Sequence, residues 1–201
     1  MKRVLIVALA LTTCLFATQA LALDEARPYF TLGGGATQLT EAGITDTGVD
    51  ARISSQIGYN GLIAAGLAWD VGRLEFSAGY NDQKFDELHV GGVTTSLDGN
   101  ISMYNFLTSV FYDFNKDGKV SPYFGGGIGA ARLDIKSADL SGNDAFTFAY
   151  QLGVGLTLNT GDNFVIDVGY RLLGTNNLDF GETKADYFLF HNANVGLRWL
   201  F

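Results

Sequence analysis

Cysteine is almost absent: Cys14 is the only one, and it lies inside an apolar run near the N-terminus. If that run is removed on export, no disulfide and no cysteine-bound metal can form in what remains. Proline is nearly missing too, limited to Pro28 and Pro122. That scarcity suits a chain whose strands must keep their backbone donors. Basic residues are outnumbered, 13 against 21 acids, for a formal net charge of −8. An acidic chain of this kind is not expected to bind nucleic acid, whose phosphates require a basic surface. Past the N-terminal region, Gly, Asn or charge breaks every apolar stretch within about ten residues. That is well short of the roughly 20 that a membrane-crossing helix needs.

The N-terminus reads as an export signal. Lys2 and Arg3 are its charged start, Val4 to Phe16 its apolar stretch, and Ala20-Leu21-Ala22 a small-x-small cleavage site. The expected division is a signal peptide over 1–22 and one domain over 23–201. Losing Lys2 and Arg3 takes the net charge from −8 to −10. A lasting helical anchor is disfavoured because the apolar run is too short. Lipid attachment at Cys14 is disfavoured by its neighbour Thr13.

What the chain has in abundance is alternation. Hydrophobic residues make up 47%, aromatics 13%, and there are 26 glycines. In the segment 145–158, Phe146, Phe148, Tyr150, Leu152, Val154, Leu156 and Leu158 alternate with Thr147, Ala149, Gln151, Gly153, Gly155 and Thr157. A period of two marks a β-strand. Eight such segments are expected, at about 28–39, 55–70, 73–84, 100–114, 121–134, 145–158, 163–174 and 185–201. Connections near 70–73, 115–119 and 159–162 are short. Those near 40–54, 85–99, 135–144 and 175–184 are long and polar. In the turn Asn115-Lys116-Asp117-Gly118, Asp-Gly is expected to supply the positive backbone angle of a hairpin.

The large apolar side chains share one face of each strand, while the other face carries small and polar groups. The expected fold is therefore all-β: a closed, eight-stranded, antiparallel up-and-down transmembrane barrel with its greasy face outward. A soluble barrel would invert that direction, with apolar residues inside. Three features favour the membrane. Trp69, Tyr112, Phe114, Trp199 and Phe201 sit near strand ends, as interfacial aromatics do. The small and polar face is too small to make a greasy core. Long and short connections alternate, and an even strand count places both termini on the short-turn side, expected to be periplasmic.

The inward face carries a few charges. Glu75, Asp167, Arg171 and Arg198 all take inward positions, with Arg73 and Asp70 near one mouth. Opposite charges enclosed together should pair, since a lone buried charge is costly. An eight-stranded barrel has room for side chains and little else. The expectation is that Arg171 and Arg198 bridge to Glu75 or Asp167 and plug the lumen; an electrostatic gate in a narrow channel is the rival reading.

Other candidates carry less. Asp113, Asn115, Asp117 and Gly118 imitate the start of a calcium-binding EF-hand loop, but its twelfth position holds Phe124 rather than Glu. Gly125 to Ala130 imitates a dinucleotide fingerprint without the helix that gives the motif meaning. His89 has no visible ligand partner. Gly-Tyr recurs at Gly58-Tyr59, Gly79-Tyr80 and Gly169-Tyr170 as a structural repeat. No cofactor or metal is expected.

The runs Pro28-Tyr29-Phe30-Thr31-Leu32-Gly33-Gly34-Gly35 and Ser121-Pro122-Tyr123-Phe124-Gly125-Gly126-Gly127-Ile128-Gly129-Ala130, with terminal Arg198-Trp199-Leu200-Phe201, carry a family resemblance. The chain resembles the small eight-stranded outer-membrane barrels of Gram-negative bacteria, those like outer-membrane protein A and the opacity adhesins. The resemblance covers 23–201. It implies the cell outer membrane, contact with outer-membrane lipid and lipopolysaccharide, and recognition of the strand ending in Phe201 by the barrel-assembly machinery. It implies a structural or adhesin-like role through four extracellular loops, whose ligand is unknown. Asp46, Asp50, Asp86, Glu87, Asp139 and Glu182 are loop candidates on exposure alone. A porin-like narrow channel is the alternative reading. Outer-membrane lipid A deacylases resemble this chain around His191, but they place Ser two residues later, where this chain has Ala193. A non-enzymatic monomer is the expectation.

Overall fold

The computed structural model describes residues 26–40, 44–46, 49–90, 93–115, 118–137, 140–161, 163–176, 178–179, 184–185 and 188–201. At 44–46, 49–55, 85–90, 93–98, 135–137, 140–145, 178–179 and 184–185 it describes backbone alone. The expected signal peptide with Cys14, and also Lys116, Asp117, Asp139, Glu182 and Tyr187, lie outside the described residues.

Among the described residues every element is a strand. In chain order they are β1 (Arg27–Thr40), β2 (Ile44–Asp46), β3 (Val49–Ser55), β4 (Gly58–Trp69), β5 (Gly72–Val90), β6 (Val93–Asp113), β7 (Val120–Ser137), β8 (Leu140–Asn159), β9 (Phe164–Thr175), β10 (Leu178–Asp179), β11 (Lys184–Ala185) and β12 (Leu189–Leu200). Eight of them form the ring β1-β4-β5-β6-β7-β8-β9-β12, each antiparallel to its neighbour. β12 returns to β1 in continuous register from Tyr29↔Leu200 to Thr40↔Leu189. The Phe201 N–H donates to the Pro28 carbonyl at 2.9 Å, extending the seam. Closure pairs the ladder groups that lipid could not satisfy. Both prolines sit near strand starts at the short-turn end, with exposed side chains.

The direction of the alternation is settled. Leu152, Val154, Val168 and Leu197 are 61%, 53%, 44% and 59% exposed and point outward. Their strand neighbours Gln151, Gly153, Asp167 and Arg198 are buried inside.

Four expectations need correction. The connections over 85–99 and 135–144 are not long polar loops. β5 and β6 stay paired out to Val90↔Val93, and β7 and β8 to Ser137↔Leu140. Asp86 and Glu87 therefore lie on a strand, as do Asp46 and Asp50. Polar sequence hid these extensions because strands that have left the lipid carry no apolar stripe. The second segment starts later than expected, as β4 at Gly58, and the connection expected over 40–54 holds β2 and β3, with β3 ending before Gln56-Ile57 and pairing with β5 as β4 does. Among the described residues of the 115–118 turn, the left-handed one is Asn115, with φ 51°, and Gly118 is not left-handed; Asp117 lies outside the described residues. Asparagine tolerates that region better than most residues.

The fourth correction concerns the interior, which does contain a greasy core. Leu39, Ile101, Met103, Leu107, Leu133, Leu173, Phe188 and Phe190 are all buried together, with Ala131 and Ala149 among them. They fill the lumen toward the long-connection end. Small inward residues elsewhere make room for large ones. A Cβ on Gly155 or Gly169 would run into the Tyr123 hydroxyl, so glycine there lets that ring lie flat against the wall.

Candidate functional site

Along the barrel axis the interior is layered. Nearest the short turns is a layer of charge and aromatic rings. The middle holds amides and hydroxyls, and the apolar cap closes the far end.

The charge layer is built by parity. Arg73, Glu75, Asp113, Asp167, Arg171 and Arg198 come from β5, β6, β9 and β12, all on inward positions. Arg171 Nη1 donates to Glu75 Oε1 at 2.9 Å. Arg198 Nη2 donates to Asp167 Oδ1 at 2.7 Å. Arg73 Nη1 donates to Asp113 Oδ1 at 2.5 Å. The three pairs cancel in charge. Arg73 and Glu75 are 1% exposed and Arg198 5%. Such charges persist away from water only where partners and further hydrogen bonds compensate them.

The compensation extends beyond the pairs. The Tyr29 hydroxyl donates to Glu75 Oε2 at 3.3 Å, and the Thr157 hydroxyl to Asp167 Oδ1 at 2.9 Å. The Arg73 guanidinium lies 4.3 Å from the Tyr123 ring centroid and 4.7 Å from that of Phe111. Arg171 faces Phe111 at 5.2 Å, and Arg198 faces Tyr29 at 5.2 Å. Delocalised guanidinium planes suit such ring faces. Asp70, grouped with Arg73 by sequence, is exposed on the β4–β5 turn. Sequence reasoning missed Asp113, Tyr29, Phe111 and Tyr123 as members of the layer. The signal was present, since each has inward parity on its strand.

Above this layer, the Asn81 amide donates to Thr37 Oγ1 at 3.0 Å and to Asn192 Oδ1 at 2.5 Å, and Gln151 Nε2 donates to Ser109 Oγ at 2.5 Å. A cavity of only about 20 Å³ remains among Asn60, Asn81, Asn105, Gln151 and Arg171. That is near the room one water needs.

The outer surface carries two aromatic girdles of different chemistry. Trp69, Tyr112, Phe114, Trp199 and Phe201, placed by sequence at strand ends, all gather at the short-turn end, with Phe124 and Phe164. Trp199 stacks between Phe164 at 5.3 Å and Phe201 at 5.4 Å, and Phe114 stacks on Phe124 at 5.7 Å. The second girdle, toward the long connections, consists of Tyr59, Tyr80, Tyr104, Tyr150 and Tyr170. Tyr80 contacts Tyr104 at 4.8 Å and Tyr59 at 6.2 Å. Three of its five members come from the Gly-Tyr repeat. Tyr112 lies eight positions beyond Tyr104 along β6. At roughly 3.4 Å per residue and a tilt near 40°, that spans about 20 Å, close to the apolar band of an outer-membrane barrel.

His191 faces outward near the tyrosine girdle. Its Nε2 bonds Thr40 Oγ1 and its Nδ1 bonds the Tyr170 hydroxyl. The imidazole thereby bridges β9, β12 and β1 across the barrel's closing seam. A hydroxyl–imidazole contact is the beginning of a nucleophile–base arrangement. The group at Nδ1 is a phenol rather than a carboxylate, and Ala193 follows two residues later. His89 lies on β5 opposite Arg52 and Thr94. Asp113 of the EF-hand-like run is committed to Arg73.

Comparison with known proteins agrees with this architecture. Residues 7–201 match the family model described as outer membrane protein beta-barrel domain. Neisserial surface protein A shares 19% identity over 87% of this chain and 97% of its own, with a TM-score of 0.64. The attachment invasion locus protein Ail of Yersinia pestis shares 19% over 88% of this chain and 99% of its own, with a TM-score of 0.49. An uncharacterized protein of Brucella abortus is 24% identical over 135 residues, covering 50% of this chain and 48% of the relative. The chain thus spans about half the length of the curated relatives it matches.

Proposed function

This chain belongs to the outer membrane protein beta-barrel domain family, and from that premise we propose that it is a non-enzymatic, closed-lumen barrel with a structural or surface-interaction role. The observation that carries the reading is the filled interior. Three neutralised ion pairs, an amide layer and an apolar cap occupy the space through which solute would pass. What such a barrel can offer a partner is its outer end. There β5–β6 and β7–β8 run on as paired extensions of a rigid wall. Rigid scaffolds presenting variable ends are suited to binding.

In this reading the short-turn end and both termini face the periplasm, residues 1–22 are removed on export, and the folded protein is a monomer. The tyrosine girdle meets lipopolysaccharide and the tryptophan–phenylalanine girdle meets inner-leaflet phospholipid. The barrel-assembly machinery engages β12 and Phe201. Protease or antibody accessibility on intact cells tests the orientation. An epitope placed at 91–92 should be reached from outside; reach only after permeabilisation would overturn it. Replacing 86–97 by a two-residue turn should abolish surface binding to host or neighbouring cells while leaving heat-modifiable gel mobility intact. Retention of all binding would leave the interaction role without support.

One observation favours a rival: the Thr40–His191–Tyr170 contact on the lipid-facing wall. An acyl-transfer site also needs donors for the developing oxyanion, and the neighbouring strand backbone is committed to ladders. Lipid A mass should be the same with wild type and His191→Asn on overexpression. A mass loss that depends on His191 would make this an enzyme.

A further inference from the structure

Between the two girdles the lipid-facing wall is unevenly filled. A groove of about 410 Å³ crosses β1, β4, β5 and β6, and Phe30, Ile63, Ala65, Phe76, Ala78 and Phe106 line it. Strand register makes it. Ala65 lies opposite Phe30 on one side and Phe76 on the other. Ala78 lies opposite Ile63 and Phe106. Each alanine is thus a gap between large side chains, and the two gaps are diagonal neighbours on β4 and β5.

The two ends of the groove differ. Toward the short turns the next row across the strands is Leu67, Leu74 and Val110, bulky throughout. Toward the tyrosine girdle the next row is Gly61, Tyr80 and Tyr104. Gly61 leaves the wall bare there, since a Cβ on it would meet nothing within 4 Å. The groove is therefore open at the tyrosine end and walled at the other. In hydrocarbon, association rests on packing, because lipid tails are as apolar as the wall. Atoms lining an unfilled hollow lose their dispersion partners. A second barrel presents a convex wall. It would rest on the protruding rings of Phe30 and Phe106, 43% and 61% exposed, and leave the alanines uncovered. A single flexible chain reaches them.

We propose that this groove binds one acyl chain of a membrane lipid whose headgroup lies at the tyrosine girdle. The open end sets the direction: the chain enters past Gly61 and runs on over the two alanines. The site needs only the membrane setting of the barrel, so the surface-interaction reading can fail without it, and it without that reading.

The test uses the full barrel, one per nanodisc, in phosphatidylcholine doped with the same lipid carrying a spin label midway along one chain. Methyl NMR then compares Ile63, in the groove, with Ile166 as control. Each lies four positions from a girdle tyrosine, Ile63 from Tyr59 and Ile166 from Tyr170, on the side of the short turns. Ile166 is flanked by Leu158 and Leu197, so it sits at matching depth on a filled part of the wall. An unselective lipid shell broadens the two methyls alike. A seated chain should broaden Ile63 roughly threefold more, the sum of a few extra dispersion contacts. Ala65→Leu/Ala78→Leu fills the gaps and should make the two methyls alike. Gly61→Leu closes the entrance without touching the alanines and should do the same. The rest of each spectrum serves as the check on folding. Equal broadening in the wild type, or an excess that survives either variant, would overturn the site. Loss of the excess in discs holding two barrels would make a second copy the occupant and overturn it as well.

Discussion

The two halves of the lumen solve the same packing problem with opposite chemistry. The short-turn half holds six charged side chains in three pairs, roofed by Tyr29, Phe111 and Tyr123. The long-connection half is apolar, a cluster of buried side chains around Ile101, Met103 and Phe190. The exterior also differs between ends, with Trp and Phe at one girdle and Tyr with polar partners at the other. Asp82 Oδ2, beside the tyrosine girdle, accepts from the Tyr80 hydroxyl, Asn100 Nδ2 and Ser102 Oγ. The contrast teaches that inward-facing does not mean polar in a small membrane barrel. Inside, each layer needs only local consistency: every charge matched, or no charge at all.

The sharpest way to break the contrast is to remove one partner from the charged half. Glu75→Ala leaves Arg171 buried without its carboxylate and should cost about 3–5 kcal/mol in denaturant unfolding from lipid vesicles. The double replacement Glu75→Met/Arg171→Met should recover most of that loss, because an apolar pair of similar volume often substitutes for a buried ion pair. If the single and double variants unfold alike, the pairing argument fails.

Phe190→Ala attacks the other half and should cost about 3–5 kcal/mol through the cavity it opens. Planar-bilayer recording then separates the halves. The wild type is expected to be nearly silent; Phe188→Ala/Phe190→Ala should raise conductance above it, whereas Glu75→Ala should not, since the apolar cap still bars ions. Conductance appearing only in Glu75→Ala would move the seal to the charge layer.

A third comparison sets inside against outside. Val154→Arg puts a charge on the lipid-facing wall and should cost about 2–4 kcal/mol near the midplane. Arginine at the same strand's end, in Leu158→Arg, should cost about 1 kcal/mol or less. Equal costs by vesicle unfolding would mean the apolar band is not where the girdles put it. A similarly small effect belongs to the seam clasp: His191→Ala should lose about 1 kcal/mol in the same assay, the scale of ordinary hydrogen bonds.

Much of this was legible in advance for a plain reason. Strand periodicity is a local property, and Leu152, Val154 and Leu156 declare their common face without a partner strand. The same parity placed Glu75, Asp167, Arg171 and Arg198 inside. Which acid meets which arginine was not legible, because it depends on how far each strand is staggered against the next. Asp113 was read with its turn although it ends an inward row through Phe111 and Ser109. The Gly-Tyr repeat was visible as a pattern. Its meaning as a girdle required knowing that Tyr59, Tyr80 and Tyr170 come to one height around the ring.

The sequence by itself determined the apolar-striped parts of the barrel strands and which side chains share a face. Each follows from side-chain spacing along a single segment. Only the tertiary structure decided the three ion pairs, the apolar cap from Leu39 to Phe190 and the second girdle. Those arise where residues far apart in the chain reach the same axial height, and that height is fixed by the stagger of closure, which no single strand encodes.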